Sequence, residues 1–102
     1  MRVSIVRGGG VAGITTHTEL DSAQLHANDA ADLHRLAGAA TLDEPVSPAG
    51  RGPDELQYEI AVDDDAGHRS ARYSESGLPD PVRTLIGWID TRPETTTRVA
   101  PA

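Results

Sequence analysis

Cysteine, phenylalanine and lysine are all absent from this 102-residue chain. Without cysteine there can be no disulfide and no thiolate metal site. Without phenylalanine, the aromatic residues are Trp88, Tyr58 and Tyr73, so the core has to be aliphatic. Without lysine, every basic side chain is arginine. Nine of them face sixteen Asp and Glu, giving a net charge of −7 and a pI near 4.8. A surface of that sign repels phosphate, so neither nucleic acid nor an anionic membrane is an expected partner. No apolar run approaches the ~18 residues of a membrane-spanning helix. The first residues lack the basic and apolar regions of a signal peptide, and the expected location is cytoplasmic. Arginine in place of lysine, with much Ala, Gly and Asp, reads as the codon bias of a high-GC, bacterial genome.

What is present suits one small domain. Hydrophobic residues make up 37% of the chain, enough for a thin core. Val3 and Ile5 alternate within Arg2–Arg7, and Ile14, Thr16, Thr18 and Leu20 alternate within the next segment. These two runs predict an antiparallel hairpin. Asp21 and Ser22 can cap a short helical start. A helix is predicted over Asp29–Ala37, with Asn28 as its cap and Gly38 as its stop. Residues 41–54 hold Pro45, Pro48, Gly50, Gly52 and Pro53 and read as a long loop. Leu56, Tyr58, Ile60 and Val62 give the clearest strand of the chain. Asp63–Gly67 is a turn, and 68–74 returns with Ala71 and Tyr73 facing inward. Asp80-Pro81 opens a second helix whose stripe is Val82, Leu85, Ile86 and Ile89. The predicted fold is α+β. A four-stranded antiparallel sheet carries two helices on one face, in the order ββαββα. Residues 1–90 form that domain, and 91–102 read as a disordered tail.

Catalytic and metal motifs are missing. His17, His26, His34 and His68 stand in no zinc-binding spacing. Asp63-Asp64-Asp65 fails as a calcium loop, because Ala66, His68 and Arg69 stand where ligands and a glycine are required. There is no G-x-S-x-G. Gly8-Gly9-Gly10 has neither dinucleotide nor P-loop spacing. The chain therefore reads as a non-enzyme that needs no cofactor and no metal. What stands out is Gly8-Gly9-Gly10-Val11-Ala12-Gly13 between the first two strands. Glycine permits close approach of backbone to a partner. On composition alone, both an ordinary hairpin connection and a recognition loop remain open.

The opening Met1-Arg2-Val3-Ser4-Ile5-Val6-Arg7-Gly8-Gly9-Gly10-Val11-Ala12-Gly13-Ile14 resembles the start of the emfourin-like proteins. The strand ending at Asp21, the Leu56-x-Tyr58-x-Ile60 strand and the helix Pro81–Ile89 agree with that pattern, which covers about residues 1–90. The family comprises small protein inhibitors of protealysin-like, that is thermolysin-like, zinc metalloproteases. The resemblance implies a non-covalent inhibitor, expected as a monomer, whose protease-binding residues are Gly9, Gly10, Val11, Ala12 and Gly13. Val11 would fill the apolar pocket beside the protease zinc, and Ile14 would anchor the loop base in the core. The family pattern has a larger, often aromatic, residue at the position of Val11, a departure expected to weaken or retune inhibition. The alternative is a small interaction module with no protease target, binding through a sheet edge or the Trp88 helix.

Overall fold

Strand alternation sorts the apolar residues onto one side of a sheet. The computed structural model describes residues 1–9, 14–40, 42 and 56–101. In it β1 (Arg2–Gly9) and β2 (Ile14–Asp21) run antiparallel, with Val3 opposite Leu20 and Ile5 opposite Thr18. On the other side of β1 lies β3 (Leu56–Asp64), which sets Ile60 against Ile5 and Val62 against Val3. β4 (Gly67–Ser74) pairs with β3 and adds Ala71 and Tyr73 to the same face. β5 (Thr96–Pro101) pairs with β2. All pairings are antiparallel, and the strand order is β4-β3-β1-β2-β5.

Two helices, α1 (Ala27–Ala40) and α2 (Asp80–Asp90), cover the apolar face. Leu33, Leu36 and Ala37 of α1 join Val82, Leu85, Ile86 and Ile89 of α2 in one cluster with the strand residues. Burying each Leu or Ile contributes about 1.5–3 kcal/mol, so this aliphatic cluster dominates the folding energy. Among the described residues, no helix covers the opposite face. It forms a shallow polar concavity of about 680 Å³ that includes Ser4, His17, Glu19, Ala61, Ser70 and Arg98.

The α+β class, the antiparallel sheet and the two helices agree with the sequence reading. The strand count does not. Five strands replace four, and the order is ββαββαβ. Residues 96–101, expected within a disordered tail, form β5. The reason lies partly in Thr96, Thr97 and Val99, β-branched residues suited to a strand. It lies partly in the connection before them. Arg92 bonds Asp29 at 2.8 Å and stacks over Trp88 at 5.4 Å, and Thr95 Oγ1 donates to the Ile89 carbonyl at 2.6 Å. That connection leaves α2 tied to the helix layer and delivers the chain to the β2 edge.

Smaller differences have local causes. α1 runs through Gly38 to Ala40 because Ala37 and Ala40 are both buried. A Cβ at Gly38 would meet nothing, so the glycine imposes no stop. The cap of α2 is Pro79 rather than Asp80, which already lies inside the first turn. Its charge there still complements the helix dipole. Asp21 does cap a short 3-10 turn over Ser22–Gln24, accepting from the Ala23 amide at 2.9 Å. The long loop expected over 41–54 lies outside the described residues except for Leu42, which is buried in the core.

Candidate functional site

β1 does not stop where its side chains stop. Gly8 and Gly9 continue the strand, paired with Gln57 and Leu56 of β3. Two of the glycines expected in the loop are thus strand residues. Gly8 is needed for close packing. A Cβ there would meet Thr15 Oγ1 at 3.1 Å, tighter than ordinary van der Waals contact. Its missing side chain also opens a depression of about 300 Å³ lined by Val6, Thr15, Gln57, Glu59 and Arg72.

Arg7 is the last β1 residue with a long side chain. Alternation puts it on the helix-bearing face, after Val3 and Ile5. Its guanidinium meets the Asp90 carboxylate in a two-pronged pair at 2.6 and 3.2 Å and lies 5.8 Å from the centre of the Tyr58 ring. Asp90 ends α2, where the helix dipole disfavours an anion. Arg7 offsets that charge and binds the end of the helix layer to the strand that carries the glycines. Paired charge-assisted hydrogen bonds of this kind add geometric constraint as well as energy.

Past that ion pair lie the ends of β1 and β2. Thr16 stands opposite Arg7, and Ile14 is two residues further on. Ile14 opens β2 at the loop base as expected, but it is 45% exposed and anchors nothing in the core. It shares a face with buried Thr18 and Leu20, yet it lies past the Arg7–Asp90 pair. Gly9 occupies the last position of β1. Gly10, Val11, Ala12 and Gly13 lie outside the described residues and join the ends of β1 and β2.

The register decides which other segments share this end of the sheet. Gly9 pairs with Leu56, and Gln57 pairs with Ser74, so β4 finishes at the glycine end. Glu75–Asp80 therefore starts there, two strands from the loop. The Asp63–Gly67 turn is at the opposite end, where Arg2 pairs with Asp63. It is not a neighbour of the loop. β5 also finishes at the glycine end, with Pro101 opposite Ile14 and Val99 opposite Thr16. Val99 is 66% exposed. Neither Val99 nor Arg7 stood out in the sequence. The β-branched Thr96-Thr97-x-Val99 run was the available signal for the first, and the odd-numbered alternation Val3, Ile5, Arg7 for the second.

Two ion pairs hold the opposite end of the sheet. His68 Nδ1 lies 2.7 Å from Asp63, and Arg69 bonds Asp64 at 2.6 Å. His26 and His34 are exposed, and His26 precedes α1 rather than sharing its face. Burial pushes the Tyr73 phenol above its ordinary value near 10, because the phenolate would be desolvated. Among the described residues, no group of three His, Asp or Glu side chains could hold a metal ion.

Comparisons with curated proteins and with solved structures return no match. Against protein-family models, residues 5–90 match the one described as Emfourin, from inside β1 to the last residue of α2. The match takes in both central strands, the glycine segment between them and the Arg7–Asp90 pair that fixes its base, and on it the chain belongs to the emfourin family.

Proposed function

We propose that this protein is a reversible, non-covalent inhibitor of a thermolysin-like zinc metalloprotease and that it enters the active-site cleft with the glycine segment at 8–13. The observation that carries this reading is the emfourin match over residues 5–90. The geometry around the segment supports it. The segment joins the ends of β1 and β2, two strands inside the sheet rather than at its edges. Arg7 and Asp90 tie its entry to the helix layer. A loop held at both ends by a sheet loses less conformational freedom on binding than a free peptide would. Gly9, Gly10 and Gly13 permit close backbone approach to the cleft walls. Val11 fills the apolar pocket beside the protease zinc, with Ala12 next to it.

The magnitudes set a limit on Val11. Burying one valine is worth about 1.5–3 kcal/mol, or roughly 10- to 150-fold in affinity. Tight inhibition therefore needs further surface at the glycine end. Glu75–Asp80 and β5 both reach that end. Titrating a thermolysin-like protease with the protein should give stoichiometric, reversible loss of activity while the inhibitor stays uncut. Val11→Asp should weaken inhibition by about 100-fold, because it places a charge in an apolar pocket. Unchanged inhibition by Val11→Asp would remove the pocket-filling role.

A further inference from the structure

The geometry points to Val99 of β5, together with Ile14 of β2, as a second contact surface for the protease that receives the glycine segment. This inference rests on the inhibitor reading above. Ile14 and Val99 are the two large hydrophobic side chains left exposed among the described residues. Single exposed apolar residues are ordinary on a protein surface. These two are not scattered. The register sets Ile14 opposite Pro101 and Thr16 opposite Val99. Ile14 and Val99 are thus diagonal neighbours on adjacent strands, roughly 7–8 Å apart and on the same face. That face is the one the helices cover elsewhere, and the patch lies just past the Arg7–Asp90 pair.

β5 itself argues for a role outside the core. Thr96, Thr97, Arg98 and Val99 are all exposed, and none belongs to the buried cluster. Exposed side chains at 96–99 add little to folding beyond the ladder with β2. What β5 does is place Val99 beside Ile14, the residue that directly follows the glycine segment. β5 also lies beyond the 5–90 stretch that matches the family. The patch begins at Ile14, which follows the glycine segment directly in the chain. An occupant there meets an aliphatic pair beside the Arg7–Asp90 ion pair, whose charges offset one another, which suits an apolar rim beside a protease cleft. The same surface supplies part of the affinity that Val11 alone cannot.

Inhibition constants for Val99→Asp and Val99→Thr test this against a thermolysin-like protease, with Thr96→Asp and Val11→Asp as comparisons. Val99→Thr keeps a β-branched strand former, so it preserves β5 while removing apolar surface. Val99→Asp should raise the inhibition constant about tenfold and Val99→Thr about threefold. Thr96→Asp, at the far end of β5, should leave it unchanged. Wild-type inhibition by both Val99 variants, with inhibition lost in Val11→Asp, would overturn the β5 contact and leave the inhibitor reading standing. Equal loss from Thr96→Asp and Val99→Asp would also overturn it, since the effect would then be general to the strand. A wild-type protein that inhibits no thermolysin-like protease would remove both inferences.

Discussion

The two hairpins of this protein are built in opposite ways. At the β3–β4 end the polar side chains are turned on one another. Asp64 accepts from the Ala66 amide at 2.9 Å and pairs with Arg69, Asp63 pairs with His68, and Gly67 takes φ +124° to close the turn. Four of its side chains, Asp63, Asp64, His68 and Arg69, are paired within the hairpin. At the β1–β2 end the strand finishes in glycines, Ile14 is exposed, and β5 adds exposed Val99 beside it. Among the described residues, a two-pronged ion pair stands one step back, at Arg7 and Asp90. Charges paired within a hairpin are less available to a partner, whereas Ile14 and Val99 leave aliphatic side chains exposed beside a base held by Arg7 and Asp90. The difference supports the proposal that the glycine end is the working end of the sheet.

That contrast can be broken experimentally. The largest effect should come from Val11→Asp, which removes about 100-fold of inhibition while leaving the melting temperature nearly unchanged. Asp90→Ala should come next. Losing the two-pronged pair with Arg7 should lower stability by about 1 kcal/mol and loosen the loop base. Inhibition should then weaken by about three- to tenfold, through a lower association rate or a faster dissociation rate. Gly67→Ala should show the reverse profile. At φ +124° an alanine is strained by about 1–2 kcal/mol, seen as a fall of several degrees in the melting temperature. Because the turn is at the far end, the inhibition constant should not move. If Gly67→Ala weakened inhibition more than Asp90→Ala did, the two ends would have been assigned the wrong way round.

The smallest effect concerns the helix-covered part of the sheet. The Tyr73 phenol is raised above its ordinary value near 10 by burial, so the folded state holds its proton more tightly than the unfolded chain does. Its contribution to stability is present below pH 10 and is lost as pH rises beyond that towards the folded-state value. Chemical denaturation between pH 9 and 11 should therefore show a stability loss that Tyr73→Phe diminishes. Inhibition measured at pH 7 should be the same for both forms.

The sheet and helices were legible because alternation and helical stripes are local patterns. Val3 and Ile5, Ile60 and Val62, and Val82, Leu85 and Ile89 all lie where those patterns put them. β5 was not legible for a physical reason. A strand whose side chains at 96–99 are exposed carries no hydrophobic alternation there, and Thr96–Val99 reads the same as a polar tail. Its place depends on Arg92 reaching Asp29, 63 residues away in sequence. The same reason hid Arg7. Its partner Asp90 is distant in the chain, and only the fold brings them to 2.6 Å. The family resemblance identified the glycine segment from its residues. Which neighbours share its end of the sheet needed the strand register, which admits β5 and Glu75–Asp80 and excludes Asp63–Gly67. The expectation that Ile14 anchors the core came from the family resemblance; the alternation that places it on the face of Thr18 and Leu20 does not say that the face is covered there, and Ile14 is exposed.

Amide hydrogen exchange of the protein, free and saturated with a thermolysin-like protease, tests the central claim most directly. Protection should appear at residues 8–14, extend to β5 around Val99, and be absent from 63–68. Protection centred on 63–68, or none at 8–14 in a complex that inhibits, would contradict the assignment of the glycine end as the surface that meets the protease.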